Sequence, residues 1–453
     1  MEGSNSIAEQ LCNACKYGRI EEVRNLLQNL QINVNTNQRD LFYLRSSFYV
    51  ACKEGHVDIV KLLLNDRIVD INKDEGSGTV LHYACNHGFF EVVKLLLNHN
   101  RLVNINQQNN DGSTPFYIAC YYGHIEIVKL FLNDKRIDIN KANKNDTTPF
   151  YIACKKGYIE IVELLLHKKE IEINQGNNNG WTPFHIACDF GHIEIVKLLL
   201  NNQRVDFNKT TKWKKQTPFY SACENGHPEI VKVLLNDERI DINEANNFEQ
   251  TPFYTACENG YIEVVKLLLN DKRIKVDKVN KYGVSPFYIV CQKGHIEIVK
   301  LLLRDKRIDI NRANEYGETP LYIACLKGYI EVVKLLLNDI RIDINKARNN
   351  GRTPFWIACD HGHFEIVQHI LASRRVNLTI QNNEGMTPIS IARENRRGKR
   401  FQGAVDYLLE SFEKNPNESR FNLRKQLGYS SNFFFFFYFF SHHSSFFFFQ
   451  KKF

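Results

Sequence analysis

The sequence predicts an all-α-type repeat solenoid, in which short helical units stack on one another. A Thr-Pro or Ser-Pro pair recurs every 34 or 35 residues, and these pairs hold nine of the eleven prolines. Five residues after most of these Thr or Ser residues comes Ala, and four residues later Gly, as at Ala119 and Gly123. Self-similarity at such a period indicates small units that bury their apolar surfaces by stacking. The pairs begin at Thr114, Thr148, Thr182, Thr217, Thr251, Ser285, Thr319, Thr353 and Thr387.

The residues of one unit, 114–147, predict two helices and a finger. Pro115 suits the first turn of a helix, because its missing N–H would have no partner there. Gly123 ends this helix, since glycine tolerates the positive φ of a tight turn. Residues 125–132 carry an apolar face broad enough to be covered on both sides, which predicts a second helix. The polar, turn-rich residues 134–146 predict an extended, β-hairpin-like finger.

The repeats are expected to fill most of the chain. The same frame continues upstream without proline, through Ala84 and Gly88 to Ala14 and Gly18. This gives about twelve units over residues 8–413, of which the first and last are degenerate caps. Residues 414–432 are expected to form a linker, and residues 433–453 a Phe-rich, low-complexity tail.

The repeated motif, TPFYIAC followed by GHIEIVKLLL, resembles the ankyrin repeat. That family opens its first helix with TPLHxAA and continues with Gly-His and an LLL-rich second helix. His82 and His185 keep the family's His, and Tyr replaces it in most other units. The repeat is one residue longer than the family's, because the loop after the second helix is extended and lacks its usual Gly. The resemblance implies helix-turn-helix units joined by fingers, and protein recognition through the fingers and the concave helix face.

The repeating cysteines are expected to be packing residues. Eleven of the twelve follow the Ala of the first helix, or Val290 in its place. Neighbouring copies should lie ~10 Å apart, beyond the roughly 7 Å between Cα atoms that a disulfide allows. Free buried thiols fit a reducing compartment, so a cytoplasmic protein is expected. Cys12 and Cys15 form a CxxC pair, but no second pair completes a zinc site.

Neither an enzyme nor a cofactor is predicted. The sequence has no paired catalytic carboxylates, Ser–His–Asp set, phosphate-binding loop or metalloprotease motif. An enzyme with appended repeats is disfavoured, because only about 40 residues lie outside the array. The last 61 residues carry +6 of the net charge of +8, so the rest of the chain is nearly neutral. Nucleic-acid binding by the repeat array is therefore not expected. A basic cluster is the one signal for nuclear import, at Arg396, Arg397, Lys399 and Arg400.

The finger within residues 205–216 departs from the others. Its Trp213 stands among Lys209, Lys212, Lys214 and Lys215. A Trp among four cations is a candidate anchor for an acidic protein partner. The alternative is a solvated loop whose Trp folds back on its neighbour.

Three aromatic residues mark a second candidate surface, the aromatic stripe. Phe248, Tyr282 and Tyr316 hold the same finger position in three successive units, where other units have Asp, Asn or Lys. Because aromatic residues are enriched in interface cores, we expect the stripe to form a binding patch that continues from Trp213. Mutual packing of the fingers is the alternative.

These features predict a monomeric, non-enzymatic scaffold or adaptor for protein partners. The ends of the first helices vary between units, as at Tyr121-Tyr122 and Lys155-Lys156, and should line the binding face with the fingers. The alternative is a peripheral membrane adaptor docked through residues 433–453, whose eight consecutive aromatics are too few to span a bilayer but could insert at its interface. Read-through of T-rich DNA would also explain such Phe runs.

Overall fold

The computed structural model describes residues 7–32, 38–65, 71–72, 78–100, 102, 104–394 and 402–427. Over these ranges the chain forms 25 helices and no strand, and it divides into two compact units after Asn247. Within each unit, helix pairs stack in chain order, which confirms the all-helical repeat solenoid.

The first unit contains α1 (Ile7–Lys16), α2 (Ile20–Ile32), α3 (Gln38–Lys53), α4 (Val57–Leu64), α5 (Val80–His87), α6 (Phe90–Leu97), α7 (Pro115–Tyr122), α8 (Ile125–Leu132), α9 (Pro149–Lys156), α10 (Ile159–Leu166), α11 (Pro183–Asp189), α12 (Ile193–Leu200), α13 (Pro218–Glu224) and α14 (Pro228–Leu235). The second contains α15 (Pro252–Asn259), α16 (Ile262–Asn270), α17 (Pro286–Lys293), α18 (Ile296–Arg304), α19 (Pro320–Lys327), α20 (Ile330–Asn338), α21 (Pro354–Asp360), α22 (Phe364–Ala372), α23 (Pro388–Glu394), α24 (Gln402–Lys414) and α25 (Pro416–Gln426).

The first helix of each central pair begins and ends as its residues predict. In α9, the Thr148 hydroxyl accepts a hydrogen bond from Tyr151 N over 3.1 Å, and Pro149 takes the first helical position. Gly157 ends the helix with φ 79°. A ring from the next repeat then packs on this glycine: His192 Nε2 donates to Lys155 O over 2.9 Å, and a Cβ on Gly157 would lie 2.8 Å from that ring. The Gly-His turn therefore joins neighbouring repeats.

The apolar core lies between successive helix pairs. In α9 and α10, Phe150, Cys154, Ile161 and Leu165 are fully buried. The eleven repeat cysteines all have this environment, and they are free thiols. Burial raises the pKa of the Cys15 thiol to about 12, so the thiolate is disfavoured. These cysteines behave as small apolar residues.

An arginine in the longer loop caps the second helix of the preceding repeat. Arg307 Nη2 donates to the Leu269 carbonyl at the end of α16 over 2.8 Å, while it pairs with Asp305 at 2.6 Å. A guanidinium thus satisfies a terminal helix carbonyl that has no intrahelical partner. The same cap recurs for Arg136 with Leu97, Arg239 with Leu200, Arg341 with Leu303 and Arg375 with Leu337.

An asparagine ladder forms a second link between repeats. Asn140 Nδ2 donates to Glu170 O over 2.8 Å, and its Oδ1 accepts from Glu172 N over 3.0 Å, so both polar atoms of the amide are used. Asp277 takes this position in one repeat of the second unit. Its Oδ2 accepts from Arg312 Nη1 over 2.8 Å, whereas its Oδ1 is buried without a partner. The amide form of the link recurs at Asn106, Asn174, Asn208, Asn311 and Asn345.

The range 414–432, expected to be a linker, includes helix α25. Its Arg420 Nε donates to Leu371 O and its Arg424 Nη1 to Ala372 O, each over 3.2 Å. Like the arginines of the loops, these side chains satisfy carbonyls at the end of a second helix, here α22. The basic cluster at 396–400 and the tail at 433–453 lie outside the described residues.

Candidate interaction surface

Most fingers are hairpin-like turns closed by an asparagine, and Thr211 and Arg348 hold its position in two others. Asn280 N donates to Val284 O, and Asn280 Oδ1 accepts from Tyr282 N and Val284 N, with all three distances between 2.9 and 3.0 Å. The asparagine side chain therefore supplies hydrogen bonds within the turn that a neighbouring strand would supply in a sheet. Hairpin-like fingers are thus present without a strand in the described part of the chain.

Backbone hydrogen bonds connect one finger tip to the next and fix the register of the aromatic stripe. In the second unit, Phe248 O accepts from Lys281 N over 3.0 Å, and Tyr316 O accepts from Asn349 N over 3.0 Å. The Tyr282 carbonyl makes the same bond, over 3.4 Å. The three aromatic residues hold equivalent tip positions, as their spacing predicts.

The rings of the stripe are exposed, and each lies near a cation, which belongs to the following finger for Phe248 and Tyr316 and to the same finger for Tyr282. The exposed fractions of Phe248, Tyr282 and Tyr316 are 38%, 49% and 57%. Lys281 Nζ lies 4.3 Å from the Phe248 ring centroid and 4.9 Å from that of Tyr282. Arg348 lies 5.8 Å from the Tyr316 ring. These cations lie against part of each ring, and a large fraction of each ring stays exposed.

Trp213, the predicted aromatic anchor of the first unit, is largely exposed. It is 75% exposed, and Lys212, Lys214 and Lys215 beside it are exposed too. Lys209, by contrast, donates from Nζ to Asn174 O over 3.2 Å, so it reaches back to the preceding repeat. Lys214 holds the tip position, which places Trp213 one residue before the register of the stripe.

Three finger tips adopt a left-handed backbone without glycine. The residue after the tip has positive φ in every described finger from residue 112 onward, and it is Gly in most of them. Asp146, Lys215 and Glu249 have φ of 55°, 53° and 58° at this position. Such a conformation costs a non-glycine residue roughly 1–2 kcal/mol. Two of these strained tips lie beside Trp213 and Phe248.

A groove of about 920 Å³ in the first unit lies between the fingers and the ends of α7 and α9. Tyr121, Tyr122 and Lys155 line it from the helix side, which is where the sequence varies between repeats. Its charged lining residues are Lys155, Lys144 and Asp111. The finger side is rich in amides, from Asn109, Asn143, Asn145, Asn177, Asn178 and Asn179.

A smaller cavity of about 210 Å³, the Trp cavity, lies at the fingers next to this groove. It is lined by Asn179, Trp181, Thr211, Trp213, Lys214 and Gln216. Trp181 carries no sequence signal of its own, because other repeats have residues of mixed type at its position, such as Thr147, Gln250 and Glu318. Asn179 lines both the groove and the Trp cavity.

Among the described residues, no group of three or more His, Cys, Asp or Glu side chains could hold a metal ion. None of the helices described there is long and apolar enough to cross a membrane.

Family models match most of the repeat array. A model described as ankyrin repeats (3 copies) matches residues 48–143, 100–177, 136–211, 203–280 and 272–348, and one described as ankyrin repeats (many copies) matches residues 335–392. The chain belongs to the ankyrin repeat family. Ankyrin repeats are generally protein–protein interaction modules, and the family is typically non-enzymatic. A comparison with curated proteins found no match.

The ankyrin repeats of this chain differ from one another at the family's His position. His185 Nε2 donates to Gln216 O over 3.0 Å, and burial lowers the pKa of its ring to about 4. Where Tyr replaces His, the contact changes: the Tyr288 hydroxyl donates to Glu318 Oε2 over 2.8 Å. Both side chains link the first helix to the next finger, so the substitution preserves the ankyrin stack.

Proposed function

We propose that this chain is a non-enzymatic scaffold or adaptor that binds partner proteins through its finger tips and the face formed by the first-helix ends. The observation that carries the proposal is the exposure of large aromatic side chains at finger tips. Trp213, Phe248, Tyr282 and Tyr316 are exposed aromatic residues at finger positions where other repeats have polar or charged residues.

The tips do not need these rings for their own structure. Backbone hydrogen bonds between fingers, such as Lys281 N to Phe248 O and Lys144 N to Asp111 O, form with aromatic and polar tip residues alike. Large aromatic side chains are the residues most often found at the energetic centre of protein interfaces. Contact with a partner protein therefore accounts for the exposed rings at these tips.

The strained tips support the same proposal. Lys215 and Glu249 adopt left-handed backbone conformations in the fingers that carry Trp213 and Phe248. Backbone strain of this kind concentrates at functional sites, where it holds a side chain in a required position. Glycine, which other fingers use, would relieve it.

The experiment compares the wild-type chain with a variant in which Trp213, Phe248, Tyr282 and Tyr316 are all changed to Asn. Both proteins are used to capture partners from the source cell, and the captured proteins are quantified by mass spectrometry. The expected result is an unchanged fold by circular dichroism and the loss of partners that the wild type enriches. Enrichment must be measured against beads without bait.

A control changes an even more exposed apolar residue that lies away from the finger tips. Ile340 is 88% exposed in the loop after α20, so Ile340→Asn should keep all partners. If the quadruple variant captures the same partners at the same yield as Ile340→Asn, the finger tips are not the recognition surface. The groove beside α7 and α9 would then be the place to look.

A further inference from the structure

We infer that the Trp cavity receives a single apolar side chain of an acidic segment in a partner protein. This inference rests on the proposed function and adds the chemistry of the partner. The cavity lies entirely in the first unit, between the finger of Trp181 and the finger of Trp213.

The Trp cavity is built before any partner binds. Its floor consists of Thr211 and Gln216, which are 4% and 2% exposed. Thr211 N donates to Gln216 O, and Gln216 N donates to Thr211 Oγ1, both over 3.0 Å. On the other side, Trp181 N donates to Asn177 Oδ1 over 3.0 Å. A wall fixed in this way loses little conformational entropy on binding.

The two fingers are also tied to each other and to the next finger. Lys212 N donates to Asn179 O over 2.9 Å, and the Trp213 carbonyl accepts from Asn247 Nδ2 over 2.8 Å. The backbone under Trp213 is thus held while its indole stays largely exposed. Such an indole can close over a bound side chain without rearranging the finger.

The size of the cavity suits one side chain. Pockets for whole small molecules occupy roughly 300–1,000 Å³, and the Trp cavity has about 210 Å³. Two indoles among its lining residues supply apolar area, and Lys214 supplies a cation at its edge. An apolar side chain flanked by carboxylates fits both features.

The charged residue among those that line the cavity is Lys214, while the Gln216 side chain donates from Nε2 to the Glu224 carboxylate over 2.8 Å. The finger residues 208–216 contain four lysines and no acidic residue, and residues 175–181 of the neighbouring finger contain no charged residue. The adjoining groove has Lys144 and Lys155 against Asp111. Electrostatic complementarity of this kind selects acidic partners and speeds their association. Single-stranded nucleic acid is the competing polyanion, because bases also stack on exposed aromatics.

The full chain is titrated with synthetic peptides while tryptophan fluorescence is recorded. The chain has three Trp residues, and since Trp356 is 1% exposed, a surface ligand reports through Trp213 and Trp181. The probes are a polyglutamate peptide with one central Phe, the same peptide with Gly at that place, its polylysine counterpart, and an oligothymidine. The Phe-containing acidic peptide should bind at least about tenfold more tightly than the Gly version, and the polylysine peptide should not bind.

Two sets of variants separate the contribution of the Trp213 ring from that of the lysines beside it. Trp213→Ala should reduce affinity for the Phe peptide to that for the Gly peptide, whereas Trp213→Phe should retain most of it; these affinities are read by calorimetry. Lys212→Glu with Lys214→Glu should weaken both acidic peptides. Lys197→Glu with Lys232→Glu, on the outer face of α12 and α14, is the charge-matched control and should have a much smaller effect.

Equal binding of the Phe and Gly peptides, or Trp213→Ala without effect, would overturn the inference. Oligothymidine that binds more tightly than the Phe peptide, and loses affinity in Trp213→Ala, would overturn it in favour of nucleic acid. The proposed function is tested separately, because a Phe248, Tyr282 and Tyr316 variant that loses cellular partners supports it whatever the peptides do.

Discussion

Arg307 of one repeat donates a hydrogen bond to the Leu269 carbonyl of the preceding repeat, at the end of α16. The residues are far apart in the chain, and the contact exists only when two repeats are stacked. Helix capping, normally a local property, thus becomes part of the coupling between neighbours in this chain. In a linear array such nearest-neighbour terms determine cooperativity.

Arg307→Ala should weaken the coupling between the repeats that it joins. Hydrogen bonds to charged groups contribute about 1.5–3 kcal/mol at most, and partial exposure of Arg307 places the expected loss near 1 kcal/mol. Hydrogen exchange in increasing urea should show earlier opening of α16 and α18. Lys306→Ala, at the exposed neighbouring residue, is the control and should leave exchange unchanged.

Asp277→Asn should stabilise the second unit at neutral pH. Burial raises the pKa of Asp277 to about 6, and the neighbouring Arg312 guanidinium only partly opposes the shift. An unfolded Asp has a pKa of about 3.9. The protonated carboxyl is therefore favoured by folding, and this contribution is fully present below about pH 4 and lost as pH rises through about 6.

The wild-type free energy of unfolding should thus fall by about 1–2 kcal/mol between pH 4 and pH 6 relative to Asp277→Asn. Both proteins are unfolded with urea at pH values across this range, and unfolding of the second unit is monitored by hydrogen exchange. Asn311→Asp should create the same pH dependence one repeat later. Parallel profiles for wild type and Asp277→Asn would refute this account of the ladder.

The repeat period predicts the fold and the register of the stripe because both depend on residues that recur. Thr148 and Gly157 mark helix ends, and the positions of Phe248 and Tyr316 follow from counting. Arg307 and Glu249 could not be assigned in the same way. The arginine donates to a carbonyl of another repeat, which its own repeat does not reveal. Glutamate has no preference for a left-handed backbone, so the residue type of Glu249 does not predict its conformation. The Trp cavity likewise depends on how two fingers lie side by side.

Native-state alkylation should label Cys12 and spare the other cysteines. Cys12 is half-buried, whereas the eleven repeat cysteines are fully buried. Burial also raises the pKa of these thiols, so little reactive thiolate forms at neutral pH. Mass spectrometry should find one label on the folded chain and twelve after denaturation without reductant. Repeat cysteines that resist labelling in denaturant would indicate disulfides and contradict the packing role.

Glu249→Gly should stabilise its finger, and Gly317→Ala should destabilise the equivalent one. Glu249 has φ 58° and Gly317 φ 80° at the same finger position. Relief of left-handed strain, less the added freedom of the unfolded chain, should give about 0.5–1 kcal/mol. A Cβ on Gly317 would lie 2.7 Å from Asn349 N, so the alanine costs more than backbone strain alone. Urea unfolding midpoints that shift in the same direction for both variants would contradict this.

The contact of Lys281 with Phe248 should be measurable as a coupling energy. The ammonium lies 4.3 Å from the ring centroid, while the backbone bond between the two residues does not depend on either side chain. A double-mutant cycle of Phe248→Asn and Lys281→Gln should yield about 0.5–1 kcal/mol, the value typical of exposed cation–π pairs. The free energies come from urea unfolding of the four proteins.

The size of that coupling also bears on why the stripe is aromatic. With a coupling of this size, Phe248→Asn should cost the fold less than about 1 kcal/mol, because the ring is 38% exposed and adds little to the core. Partner capture should then fall far more than stability does. A stability loss of several kcal/mol in Phe248→Asn, with capture reduced only in proportion to the folded fraction, would identify the stripe as packing between fingers.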